Sequence, residues 1–198
     1  MQQVIAIHGA TTFANYDEYL HSLATKPVYV ERLVSKPMWR DLLQQNLGDD
    51  YQVLLPSMPN KTNARYSEWK LWFDNVSSVI TNDCILIGHS MGAVFLAKYL
   101  SENKFAHRIK ATILIATPYN DETVEDLNDF KLEGVTDLFR SQAGRVVVFN
   151  GNDDPVISVS DIDKYKNDLP EAEFITLPAP DHFARQDFPE LMKLIKEL

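Results

Sequence analysis

Five residues carry the strongest chemical signal in this chain: Gly88-His89-Ser90-Met91-Gly92. A serine hydroxyl becomes a useful nucleophile toward a carbonyl when a sharp turn projects Oγ clear of the chain and a base lies within reach. The G-x-S-x-G spacing permits that turn, because side chains two residues before and after the serine would collide with neighbouring chain. Its flanks agree with this use. Cys84-Ile85-Leu86-Ile87 is an apolar run of strand type, and residues 93–99 have helical spacing. A helix opening at the serine aims its dipole and free N–H groups where negative charge would develop, making the Met91 N–H the first oxyanion donor. Without its flanks the motif would equally fit a Gly-Ser turn that only caps a helix.

A serine nucleophile of this kind is followed in the chain by an acid and then a histidine. Downstream of Ser90 stand two histidines, His107 and His182. His107 lies in a charged stretch ahead of a strand and is expected to face solvent. His182 follows a late apolar run on the short loop Pro178-Ala179-Pro180-Asp181, at the strand end where catalytic groups of open α/β sheets gather. It is the expected general base. The acid belongs in Gly151-Asn152-Asp153-Asp154-Pro155-Val156-Ile157, where a carboxylate can fix the tautomer of the ring and stabilise its protonated form. Spacing from Gly151 and the following Pro-Val-Ile favour Asp154, with Asp153 as the alternative; either also suits a turn. Asp181 would orient His182 poorly, since adjacent side chains diverge. At the other end of the chain, His8-Gly9-Ala10-Thr11 closes the first apolar run. The Ala10 N–H is the expected second oxyanion donor, with Thr11 next. His8 is expected to hold its loop by hydrogen bonds, and His89 to pack or hydrogen-bond beside the site.

Elements must exist to bring these residues together. Nearly continuous apolar runs at 4–8, 51–55, 84–87, 112–116, 146–150 and 173–177 have the pattern of strands buried on both faces of a parallel sheet. Helical spacing appears over 37–47 (Met38, Leu42, Leu43, Leu47), 64–80 (Trp69, Trp72, Phe73, Val76, Ile80), 91–100 and from 187 to the end. The alternation predicts one α/β domain over residues 1–198, with a mainly parallel sheet of about six strands, helices on both faces and little or no lid. The connections 14–36 and 119–143 fit the alternation poorly and read as surface excursions or binding loops. The stripe Trp69, Trp72, Phe73 is expected to be helix core rather than an aromatic substrate clamp. The acidic run 121–129 reads as a solvated face.

Composition narrows the possibilities. The chain has 198 residues, 45% hydrophobic and 24% charged, which suits a single folded domain and not a disordered one. A formal charge of −9 argues against a nucleic-acid surface and would slow the approach of strongly anionic substrates. Cys84 is the lone cysteine, so no intrachain disulfide or Cys-rich metal site is expected. The five histidines show no H-E-x-x-H spacing, and no metal is expected. No run approaches 18 apolar residues, and the N-terminus lacks the basic and apolar regions of a signal peptide. The protein is expected to be cytoplasmic, with its two Asn-x-Ser/Thr sequons at Asn60 and Asn75 chance matches.

His8-Gly9, Pro56-Ser57-Met58-Pro59-Asn60 followed by Trp69, Gly88-His89-Ser90-Met91-Gly92-Ala93, Asp153-Asp154-Pro155-Val156 and Asp181-His182-Phe183 occur in order along nearly the whole chain. In these pieces the chain resembles serine hydrolases of the α/β-hydrolase fold. More narrowly, it is similar to the small, lidless YdeN-like group that includes the retinoblastoma-binding serine hydrolase. The resemblance implies Ser90, Asp154 and His182 as a triad and no cofactor. Two departures bear on the substrate pocket: the long 14–36 connection, and Pro180-Asp181 where small residues or glycine commonly precede the histidine. The expected activity is carboxylesterase-like hydrolysis of an ester, thioester or amide in a small-molecule acyl substrate. Acyl transfer to an alcohol or amine on the same triad is the alternative enzyme reading. A binding protein on a hydrolase scaffold with negligible turnover is the alternative outside catalysis.

Overall fold

The computed structural model describes residues 1–120 and 126–198, and the apolar runs form its strands. These are β1 (Gln2–Ile7), β2 (Tyr51–Leu54), β3 (Cys84–His89), β4 (Ile109–Ile115), β5 (Arg145–Gly151) and β6 (Glu173–Leu177). All pair in parallel, in the order β2-β1-β3-β4-β5-β6. The bounds of β6 are those read from the sequence. β4 begins three residues earlier than read, because Ile109 pairs with Cys84 while Lys110 points to solvent and interrupts the apolar run.

The crossovers supply the helices that parallel pairing requires. They are α1 (Tyr16–Thr25), α2 (Val30–Leu33), α3 (Leu43–Leu47), α4 (Tyr66–Ser77), α5 (Met91–Glu102), α6 (Asp137–Gln142), α7 (Val159–Asp168) and α8 (Pro189–Glu197). Successive strand residues point to opposite faces, so the sheet divides the core in two. Ile5, Ile7, Leu86, Leu114 and Val148 pack with Trp69 and Phe73 of α4, Phe95 of α5, Phe139 of α6 and Tyr165 of α7. Val4, Ala6, Ile85, Ile87, Ile113 and Val147 pack with Leu43 and Leu47 of α3 and Leu191, Leu194 and Ile195 of α8. Helices therefore cover both faces, in an α/β fold with one six-stranded parallel sheet.

Several local expectations are corrected. The stretch 37–47 is helical only from Leu43. Asp41 accepts the Met38 N–H through its side chain (2.9 Å) and turns the chain first, so Trp39 is buried while Met38 and Leu42 are only half-buried. In α4, Trp69 and Phe73 are fully buried but Trp72 is 42% exposed. A four-residue step advances a helix 40° past a full turn and a three-residue step stops 60° short of one, which puts Trp72 at the edge of the buried face. The 14–36 connection forms α1 and α2, and α1 buries none of its residues, leaving Tyr16, Leu20 and Leu23 exposed. Of the acidic run, 121–125 lies outside the described residues. Asp126 and Asp129 are exposed, and Asp129 also accepts the Tyr66 N–H that opens α4 (3.0 Å). No described helix is long and apolar enough to cross a membrane.

From β1 the chain runs outward to β2 and then returns past β1 to β3. The loops leaving β1 and β3 consequently diverge and open a crevice at the carboxyl edge of the sheet. Ser90, Gly9 and, further along the same edge, the loops after β5 and β6 all lie there.

Candidate active site

Ser90 joins β3 to α5 with no intervening loop and has φ +54°, ψ −122°. This is a left-handed conformation that a serine adopts only when its surroundings enforce it. The enforcement is visible on both sides. The Ser90 N–H donates to Ile115 O at the end of β4 (2.9 Å), and Ser90 O accepts from the Ala93 N–H (2.8 Å) as α5 begins. A Cβ on Gly88 would stand 2.4 Å from Gly92 O and 2.5 Å from Ala93 Cα, and one on Gly92 would stand 2.6 Å from Ile7 O. All are backbone atoms with no freedom to yield, so the crossing of β3, α5 and β1 requires both glycines.

The loops after β5 and β6 bring Asp154 and His182 together. His182 Nδ1 lies 2.9 Å from each carboxylate oxygen of Asp154. A carboxylate can only accept, so Nδ1 carries the proton and the neutral ring keeps Nε2 as its basic nitrogen. Asp154 is itself fixed, its Oδ1 accepting from the Val156 N–H (2.8 Å) and the Ile157 N–H (3.2 Å). Burial opposes the ionisation of this carboxyl, but the hydrogen bonds from His182 and the two amides outweigh it and hold it below the usual carboxylate range. Asp153 points elsewhere. Its Oδ1 accepts the Ala179 N–H (2.5 Å) and so ties the β5 loop to the loop that carries His182. Asp181 pairs with Arg185, whose Nη2 is 2.6 Å from Oδ1.

His89 links the two halves of the site. Its Nε2–H donates to His182 O (2.8 Å), and the two rings lie 5.2 Å apart. Burial, reinforced by nearby His182, pushes the His89 imidazole down to about 4, so it is neutral at ordinary pH. His182 and Phe183 have φ of +55° and +54°, and that strained turn is pinned by Trp39, whose Nε1–H donates to Phe183 O (3.1 Å). His107, expected to face solvent, is instead half-buried, its Nε2 bonded to Ser77 O (2.9 Å) and its ring against Phe105. It precedes β4, at the opposite edge of the sheet from Ser90.

At the end of β1, a Cβ on Gly9 would be 3.2 Å from Ser90 Cβ, which places this loop directly against the elbow. Among the described residues the Met91 and Ala10 N–H groups have no acceptor, whereas the Thr11 N–H is committed to Lys61 O (3.0 Å). His8 holds the loop as its position suggested. Its Nδ1–H donates to Gly9 O (2.8 Å) and its Nε2 accepts the Met58 N–H (2.9 Å). Trp69 then packs edge-on against His8 and donates to Pro59 O (2.8 Å). The Pro-Ser-Met-Pro-Asn segment and Trp69 thus form one assembly that shapes the wall beside the elbow.

That wall bounds a cavity of about 380 Å3, lined by His8, Gly9 and His89 together with Trp39, Arg40 and Lys61. Trp39 and Arg40 were not singled out from the sequence. A buried tryptophan beside an arginine, in a stretch resembling an ordinary amphipathic helix, carries no local mark of its role. Only the contact with the His182 loop, 144 residues away in the chain, reveals it.

The same architecture recurs in solved structures. The ydeN gene product of B. subtilis is similar over 100% of this chain and 98% of its own, with a TM-score of 0.76 at 18% identity. The thioesterase domain from the curacin biosynthetic pathway is similar over 100% and 91%, with a TM-score of 0.62 at 14% identity. A carboxylesterase structure of Nitrososphaera gargenis covers 99% and 89%, with a TM-score of 0.59 at 13% identity. These likenesses concern the fold. No curated protein sequence gives a significant match. The family model described as Serine hydrolase matches residues 34–194, a span that includes the elbow, Asp154 and His182. This chain belongs to the serine hydrolase family.

Proposed function

We propose that the protein hydrolyses a small carboxylic ester or thioester through an acyl-enzyme on Ser90. The observation that carries this reading is the Asp154–His182 pair, at 2.9 Å to both oxygens, tied through His89 to a serine in a strained elbow. The carboxylesterase and thioesterase among the structural neighbours agree with that bond class.

In the reaction, His182 Nε2 takes the Ser90 hydroxyl proton as Oγ attacks the carbonyl carbon. The carbonyl π electrons move to oxygen, where the Met91 and Ala10 N–H groups donate to the oxyanion. Asp154 keeps Nδ1–H in place and stabilises the imidazolium. The tetrahedral intermediate collapses as His182 returns the proton to the leaving oxygen or sulfur. Water then attacks the acyl-enzyme, giving its proton to His182, and collapse releases the acid and restores Ser90.

A fluorophosphonate probe tests the nucleophile. Folded protein is expected to form one adduct on Ser90, with labelling and p-nitrophenyl ester turnover abolished in Ser90→Ala and His182→Ala. Unlabelled folded protein, or turnover retained in those variants, would refute the reading.

A further inference from the structure

The cavity beside the elbow carries positive charge that the acyl chemistry does not use. No aspartate or glutamate is among the described residues that line it, in a chain of formal charge −9. Its ionised groups are Arg40 and Lys61. The Arg40 side chain is 25% exposed, and its Nη1 is buried without a hydrogen-bond partner. Its Nη2 is 3.9 Å from Asp41 Oδ1, beyond hydrogen-bonding distance. Among the described residues the guanidinium thus has no hydrogen-bonded anion, and an anionic ligand in the cavity would supply one to the part of the side chain that remains exposed.

The backbone that carries each cation is held in place. The Trp39 N–H donates to Arg185 O (2.8 Å) and its indole to Phe183 O (3.1 Å), which fastens the turn carrying Arg40 to the His182 loop. Lys61 is exposed at the rim, and its carbonyl accepts the Thr11 N–H (3.0 Å) beside Ala10. Two charged side chains therefore stand on loops that converge on Ser90. A planar guanidinium matches a carboxylate in geometry, and the field of a −9 chain disfavours a phosphate dianion more than a monoanion.

We propose that Arg40, with Lys61 at the rim, binds a carboxylate of the substrate, so that the site prefers esters bearing a second, free carboxylate. This assignment rests on the acyl-enzyme reading of Ser90. The locally cationic wall overrides the expectation, drawn from net charge, that anionic substrates approach poorly.

Monomethyl adipate and methyl hexanoate differ by a carboxylate in place of a terminal methyl and are compared by pH-stat hydrolysis. Native protein is expected to show the higher kcat/KM for monomethyl adipate. The ratio of the two values is expected to fall about 10- to 100-fold in Arg40→Met and several-fold in Lys61→Met. A native preference for methyl hexanoate, or a ratio unchanged in Arg40→Met, overturns the proposal. Calorimetric titration of monomethyl adipate into Ser90→Ala protein reads the carboxylate site without turnover, and adding Arg40→Met should weaken binding at least about tenfold. If native protein neither reacts with fluorophosphonate nor hydrolyses either ester, the Ser90 reading fails. The calorimetry then decides the carboxylate site by itself, and equal binding with and without Arg40 overturns it.

Discussion

Replacing Asp154 by asparagine keeps the shape of the acid loop and changes one atom's role. The amide oxygen can retain the Val156 and Ile157 N–H groups now held by Oδ1, which directs the new NH2 group to the place of Oδ2. His182 Nδ1 lies 2.9 Å from both positions, so it would meet a donor at one of them and lose the two-oxygen carboxylate that holds its proton, which favours the form in which Nδ1 accepts. The ring is driven to the tautomer with its proton on Nε2, where it cannot take one from Ser90. Loss of the correct tautomer in a serine–histidine–acid site lowers kcat about 10^3- to 10^4-fold, or roughly 4–5.5 kcal/mol of barrier. Asp153→Asn touches a different contact, the Ala179 N–H bond at 2.5 Å; its amide oxygen can still accept there and only the charge is lost, so it should cost no more than about 1 kcal/mol of stability. Its kcat should stay within about tenfold of the native value. Steady-state p-nitrophenyl acetate hydrolysis and urea unfolding of both variants separate the two effects. If Asp154→Asn kept a tenth of the native kcat, or folded Asp153→Asn lost a thousandfold, the division of labour between the carboxylates would be wrong.

Gly88→Ala should cost at least about 3 kcal/mol, because its Cβ would fall 2.4 Å from Gly92 O and only backbone can move; soluble protein with a native midpoint in urea would contradict this. The folded-state pKa of His89, about 4, lies below its unfolded value of 6.5. The unfolded chain therefore binds more protons between these values. The contribution of His89 is fully present above about pH 6.5 and is lost as pH falls toward 4, at up to about 1.4 kcal/mol per pH unit. His89→Gln should remove this slope in urea titrations across that range, leaving the smaller one from His8, whose pKa burial also lowers.

Much of the site was legible from local pattern. A strand–turn–helix signal is short-range, so Gly88, Ser90, Met91 and Gly92 announce the elbow within the single stretch 84–99. The order serine, acid, histidine follows from the kind of nucleophile, and counting apolar runs then points to the loops after β5 and β6. Periodicity was less informative where polar side chains turn the backbone. Asp41 turns the chain so that the helix expected from residue 37 begins only at Leu43, and α7 was not anticipated because its apolar residues are few.

The sequence by itself determined the α/β alternation, the candidate nucleophile and the two loops expected to supply acid and base, because each rests on local sterics or on strand-end topology. Only the tertiary structure separated Asp154 from Asp153 and Ala10 from Thr11. In each pair the neighbours are chemically equivalent along the chain, and the difference lies in partners far away: His182 against Ala179, an open N–H against Lys61 O. The place of Trp39 was decided in the same way, since its indole bonds to a loop 144 residues distant that packing alone brings beside it.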